Sequence, residues 1–301
     1  MRKFVAIAVV VGFVLGSVAI AQEMGPPKII QISREEVKVG KGAAHAKYEA
    51  QWTQAMKAKN PRPYLGMASL NSNEAWWVTG FASLAELEKE NGNAAYNAVM
   101  AQFIPGDAEY VSNNRSMIAR YREDMSFGVG GPLGGAHGFF VRTLRVRPGH
   151  DGEYVELRKA LKEAVDKGNV SGVHSAVFQV LAGAPTGTYL IFSPFTSLGE
   201  RDTPNQAMGA VMADLGSKIN DLASKAILGS EDTIFVFDPK FSNPSPDMVA
   251  AAPDFWKPKA AMAKARDFGA GIGNRRPGQR ACAIVQSPTK RVVVASDRGD
   301  Y

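Results

Sequence analysis

The sequence predicts an α+β chain: two tandem βαββαβ units packed sheet to sheet, followed by a Pro/Ala-rich and then basic tail. Three observations predict it. The first is internal repetition. Val37-Lys38-x-Gly40 matches Val146-Arg147-x-Gly149 at an offset of 109 residues, "FASL" (81–84) matches "FTSL" (195–198) at 114, and "SMIARYRED" (116–124) lies over "DTIFVFDPK" (232–240) at 116. Ordered matches with slowly growing offsets mark two copies of one unit with small insertions. Most of the growth falls in one loop, where "LAGAPTGT" is longer than "NSNE". The second observation is the alternation of short strand-like runs with 3.6-period apolar stripes. The third is size. A chain of 301 residues, 45% of them hydrophobic, suits two units of roughly 100 residues with real cores, plus a tail.

In the first unit, the Ile-rich run 28–36 is a strand. Residues 42–59 are helical, because Ala44, Tyr48, Trp52, Ala55 and Met56 recur at steps of three and four and form one stripe. Asn60-Pro61 stops that helix. Residues 64–70 and 74–81 are strands joined by the turn-rich "NSN". Ser83 is an N-cap for the next helix, with Glu86 three residues on as in a capping box. A last strand runs over 116–123. The second unit repeats the order. Residues 139–146 are a strand, and Tyr154, Leu157, Leu161, Ala164 and Val165 stripe a helix. Residues 174–181 and 188–195 form a hairpin, 205–226 a helix, and 233–237 the closing strand. This is the split βαβ, ferredoxin-like arrangement. One face of each sheet takes two helices, so the bare face needs another sheet.

Between the units lies "FGVGGPLGGAHGFF". Gly128, Gly130 and Gly131 precede a strand, and Leu133 stands where a G-x-G-x-x-G loop needs its last glycine. A phosphate loop requires a helix N-terminus there, so the stretch reads as a linker. The domain plan is therefore a leader 1–21, a first unit 22–127, a linker 128–137, a second unit 138–241 and a tail 242–301. The Pro/Ala-rich part of the tail reads as a linker with one helical turn, and the tail as a whole is expected to be disordered.

The leader has a charged start (Arg2, Lys3), an apolar stretch over 4–20 and the small-residue site Ala19-Ile20-Ala21. Cleavage after Ala21 is expected, leaving no stable membrane span and a periplasmic or secreted protein; an uncleaved anchor is the rival reading. Cys282 is the only cysteine, which excludes an internal disulfide framework. From residue 257 onward ten lysines and arginines face three acids, a net +7, so the rest of the chain carries −1 of the overall +6. No RNA-binding motif or interleaved aromatics accompany that charge, and no nucleic-acid partner is expected.

The duplicated pattern resembles the dimeric α/β barrel superfamily, which includes antibiotic biosynthesis monooxygenases, EthD-like, NIPSNAP and stress-responsive barrel proteins. Val37-x-x-Gly40 and Val146-x-x-Gly149 leading into helices carry the resemblance, together with the strand-to-helix "GFASL" and "PFTSL". It covers residues 28–241. It implies two units closing around a central cavity, here within one chain as a pseudo-dimeric barrel. Members include cofactor-free oxygenases and haem-handling enzymes, so the fold does not settle the function.

The four histidines, His45, His137, His150 and His174, show no H-x-x-H or H-E-x-x-H spacing, and no metal site or cofactor is expected. His137 and His150 read as solvated. His45, one turn before Glu49, reads as an exposed helix partner. His174 starts a hairpin strand and is the best base or haem-ligand candidate. No G-x-S-x-G elbow occurs. Glu35-Glu36 and Glu123-Asp124 fall at strand ends and read as cross-strand ion pairs, because adjacent strand residues face opposite ways. Arg34, Arg120, Arg122, Arg142 and Arg145 sit in first or last strands. Arg120 and Arg122 share a face, which either lines the cavity and holds a carboxylate or phenolate or pairs with Glu35, Glu36 and Glu123 at the surface. Trp76 and Trp77 face opposite ways, and strand aromatics at Tyr121, Phe178, Tyr189 and Phe192 fill core. The candidate cavity set is Tyr64, Trp77, Arg120, Arg142 and His174. The expected function is binding of a small apolar or aromatic ligand in the cavity, by a monomer or homodimer. The alternatives are a cofactor-independent or haem-dependent monooxygenase, and a structural protein whose barrel is filled; whether the chain is an enzyme stays open.

Overall fold

The computed structural model describes residues 25–257 apart from Pro61, residues 130–132, Asn169 and Ser171. The expected leader and the basic stretch from residue 258 lie outside the described residues. The first half runs β1 (Ile29–Val37), α1 (Gly42–Lys59), β2 (Tyr64–Ser69), β3 (Glu74–Phe81), α2 (Leu84–Asn91), α3 (Ala94–Asp107) and β4 (Val111–Tyr121). The second runs β5 (Gly138–Val146), α4 (Asp151–Lys167), β6 (Ala176–Ala182), β7 (Thr188–Phe195), α5 (Asp202–Ala226) and β8 (Ile227–Phe237). Two short helices follow, α6 (Pro246–Ala251) and α7 (Pro253–Trp256).

Several local choices follow directly from sequence. Gly40 and Gly149, the glycines of the repeated Val-x-x-Gly, have φ of 79° and 84° and turn the chain from strand into helix. Ser83 Oγ accepts the Glu86 N–H at 3.2 Å, and Glu86 Oε2 accepts the Ala82 N–H at 2.7 Å, so the cap forms as expected. The helix it starts is short. Gly92 ends α2, and Asn93 caps α3 through the Ala95 and Tyr96 N–H groups, so two helices stand where one was expected.

All eight strands close one antiparallel barrel in the order β1-β3-β2-β8-β5-β7-β6-β4. Each half contributes four adjacent strands in the same relative order. The seams are Met67 opposite Phe237 on one side and Tyr121 opposite Phe178 on the other. One chain therefore closes its own barrel, and no sheet edge is left open.

Strand alternation divides the core. Ile30, Ile32, Met67, Trp76, Met117, Phe139, Val141, Phe178, Phe192 and Phe235 form one cluster inside the barrel. A second cluster lies between the second half's sheet and α4 and α5, and a third between the first half's sheet and α1 and α3. The interior is filled unevenly. Trp76 lies on Phe235 with ring centroids 4.6 Å apart, and its Nε1 donates to Glu74 at 3.0 Å. Arg34, which pairs with Glu74, stands 5.8 Å over the same indole. These residues plug one end.

The stretch after β8 corrects an expectation. Residues 242–257 are ordered against the barrel. Ser242 is wholly buried and its hydroxyl bridges Gly66, accepting its N–H at 2.9 Å and donating to its carbonyl at 3.0 Å. Trp256 stacks on Phe237 at 5.8 Å. Met248 and Trp256 are apolar enough to repay ordering this segment.

Candidate functional site

The end of the barrel opposite Trp76 is open. It holds a cavity of about 780 Å³ where β1, β2, β5 and β6 begin. Its wall is apolar: Ile30, Leu65, Val78, Phe139, Phe178 and Phe192. The rings meet edge to face, Phe139–Phe192 at 5.3 Å and Phe178–Phe192 at 5.6 Å, so each presents a fixed surface. Polar groups gather at the rim: Lys28, Glu86, His174, Thr196, Glu200 and Ser245. Met248 of α6 reaches the same cavity. An apolar chamber with a few polar groups at its mouth suits a small, largely hydrophobic molecule.

The glycine-rich linker helps to build that mouth, since Gly128, Val129, Leu133 and Ala136 line it. Gly128 has φ of 62° and its carbonyl accepts a hydrogen bond from His174 Nδ1. A Cβ at this position would strike the Val173 carbonyl. The bond holds the Nδ1–H tautomer and leaves Nε2 as an acceptor. Below His174, Ser175 is held by Arg158 of α4. Arg158 is buried and donates to Ser175 Oγ at 2.8 Å and to the Met125 carbonyl at 2.9 Å. Sequence reasoning missed Arg158, which sits inside the α4 stripe between Leu157 and Leu161.

Of the five residues expected at the cavity, His174 lines it. Tyr64 borders it where β2 begins, but its ring packs on Trp52 at 5.3 Å and its hydroxyl donates to Thr53 at 3.1 Å, in the helix layer. Burial pushes the Tyr64 phenol up. Trp77 also faces the helices; Trp76 is the inward member of the pair. Arg120 is exposed on the outer surface, because Met117 and Ala119 take the inward positions of β4. Arg142 points outward too and makes a bidentate pair with Asp232, both contacts at 2.7 Å. Hydrogen bonding from Arg142 holds the Asp232 carboxyl below its ordinary range. Arg122 pairs at the surface, with Asp124 at 2.9 Å rather than with the expected Glu35, Glu36 or Glu123.

The other histidines divide. His150 binds Glu153 at 3.1 Å near the surface. His137, expected to be solvated, stacks on Phe255 at 4.1 Å. His45, expected to be exposed, is 3% exposed, and Glu35, expected in a strand ion pair, is 7% exposed beside it. The reason is a rotation of α1. Its buried face is His45, Glu49, Thr53 and Met56, one residue round from the stripe the sequence suggests, and Ala44 is exposed.

No family model matches the chain, and no curated protein does. Similar solved structures include a candidate monooxygenase from Fusobacterium nucleatum, with 15% identity, a TM-score of 0.48 and coverage of 71% of this chain and 94% of that one. An anthrone oxidase-like protein has 14% identity, a TM-score of 0.47 and coverage of 70% and 91%. A haem-binding protein from Thermus thermophilus has 9% identity, a TM-score of 0.42 and coverage of 71% and 95%. No activity passes from them to this chain. The dimeric α/β-barrel architecture rests on the strand order of the structure itself. Among the described residues no helix is long and apolar enough to cross a membrane.

Proposed function

We propose that this chain is an exported, internally duplicated α/β-barrel protein that holds a small apolar or aromatic molecule in the open half of its barrel. The observation that carries this reading is the cavity of about 780 Å³ walled by phenylalanine and aliphatic side chains. A barrel with a purely structural role has no need of that space, since interiors otherwise pack densely. The rim supplies orientation rather than charge neutralisation, so a neutral ligand, or one with a single polar end near His174 and Thr196, suits it best. Each half supplies half of the wall, which accords with units over 22–127 and 138–241 joined by the linker. The chain acts as a monomer or homodimer, because one copy already closes the barrel.

His174 supports a second reading, a cofactor-independent or haem-dependent monooxygenase. Its Nε2 is an acceptor at the mouth, beside the carboxylates Glu86 and Glu200, that would take a proton from a bound substrate. Were haem the occupant, His174 is the residue placed to hold its iron.

Native mass spectrometry of the purified chain, with an absorption spectrum of the same sample, tests the proposal. A species heavier than the polypeptide by one fixed small increment, without a Soret band, supports ligand binding. A Soret band lost in His174→Ala moves the assignment to the haem reading. A clean polypeptide mass that stays unchanged with a hundredfold excess of N-phenyl-1-naphthylamine contradicts both.

A further inference from the structure

On the far side of the first half's sheet, away from the barrel cavity, four ligand-bearing side chains converge. Glu35 comes from β1, His45 and Glu49 from one face of α1, and Asp107 from the end of α3. The i,i+4 spacing places His45 and Glu49 together. His45 Nε2 lies 3.0 Å from Glu35 Oε2, 3.7 Å from Asp107 Oδ1 and 3.9 Å from Glu49 Oε1. One donor atom from each residue lies within 4.8 Å of all the others.

Hydrogen bonding does not account for this arrangement. A single imidazole N–H serves one acceptor well, and Glu35 takes it. The Glu49 side chain is only 8% exposed, His45 Nε2 stands 3.9 Å from its Oε1, and no hydrogen bond reaches it among the described residues. Asp107 Oδ1 is buried with no hydrogen-bond partner. Three carboxyl groups facing one imidazole in a buried layer cannot all ionise without uncompensated negative charge, which is costly.

We propose that Glu35, His45, Glu49 and Asp107 bind one divalent transition-metal ion, pinning β1, α1 and α3 together. With metal–ligand bonds near 2.0–2.2 Å, a tetrahedral site separates its donors by about 3.3 Å, and the separations at His45 straddle that value. One imidazole with three carboxylates is a borderline-to-hard set that suits Zn²⁺, Mn²⁺ or Fe²⁺ rather than a thiophilic ion. Asn114 Nδ2 donates to the other Glu35 oxygen at 3.1 Å and orients that ligand from behind. Without a cation, burial together with the charges of Glu35 and Asp107 pushes Glu49 up to about 9, and burial with Glu35 pushes Asp107 up to about 6. A bound cation opposes both shifts by holding the carboxylates in their ionised form.

The test uses the full chain stripped with a chelator and then exposed separately to Zn²⁺ and Mn²⁺. The metal retained after gel filtration is measured by mass spectrometry. The expected result is one ion per chain, a raised melting temperature, and binding weakened about tenfold or more in Glu49→Gln and Asp107→Asn. X-ray absorption of the zinc-loaded wild type gives a reading that needs no variant: a shell of nitrogen and oxygen with one imidazole. A chain that retains neither metal overturns the proposal. So does retention unchanged in both variants, or a shell containing sulfur from Cys282 or more than one imidazole. The barrel cavity shares none of these ligands, so this result is independent of the ligand-binding reading.

Discussion

Gly128 and Arg158 set the mouth of the cavity one residue at a time. Gly128 combines a positive φ, a carbonyl that accepts from His174, and an α-carbon whose Cβ direction is blocked by the Val173 carbonyl. Gly128→Ala is expected to cost about 1–3 kcal/mol, read as a lower urea midpoint with an unchanged slope. Arg158→Met keeps most of the side-chain volume but leaves the Met125 carbonyl and the Ser175 hydroxyl without their buried donor. The expected loss is about 1–3 kcal/mol, measured the same way. At this scale the sequence was partly legible. His174, read as starting a strand that could face the cavity, lines the cavity two residues before β6, and Arg122 pairs at the surface with Asp124 rather than with Glu35, Glu36 or Glu123. Trp77 and Arg120 were not legible, because alternation tells which residues share a face without telling which face points inward.

Among the elements, limits were read unevenly: β4 and β8 begin five and six residues before the expected 116 and 233. β3 and β7 have the expected limits, since each is a compact β-branched and aromatic run between turns. Helix α1 has the expected limits but a different phase. Its apolar stripe and its polar His45-Glu49-Thr53 stripe lie side by side, and the polar one is buried. Apolar periodicity assumes that polar residues face water, and a buried cluster of ligating side chains defeats that assumption. Glu35 and Asp107 come from elements distant in sequence, so no spacing pattern could reveal them as neighbours. The segment after β8 was read as disordered for its proline and alanine content, yet Met248 and Trp256 anchor it. Trp256→Ala is expected to cost about 3–5 kcal/mol, visible as a lower thermal midpoint. Because α7 packs against α6, whose Met248 borders the cavity, the same variant also weakens uptake of an apolar probe.

At the scale of the whole molecule, two four-stranded halves close a barrel that is packed at one end and open at the other. The closed end is held by Trp76, Phe235, Arg34 and Glu74, and the open end is walled by Phe139, Phe178 and Phe192. The duplicated pattern in the sequence anticipated the two halves and their union; the uneven filling depends on which tryptophan turns inward, and only the structure shows that. We propose above all that the open half binds an apolar molecule. Fluorescence titration with N-phenyl-1-naphthylamine tests it most directly, comparing wild type, Ala176→Phe, which fills the cavity from β6, and Arg120→Ala on the outer surface. Saturable binding at one probe per chain is expected, about tenfold weaker in Ala176→Phe, or roughly 1.4 kcal/mol, and unchanged in Arg120→Ala. Absence of saturable binding, or equal affinity in wild type and Ala176→Phe, contradicts the claim.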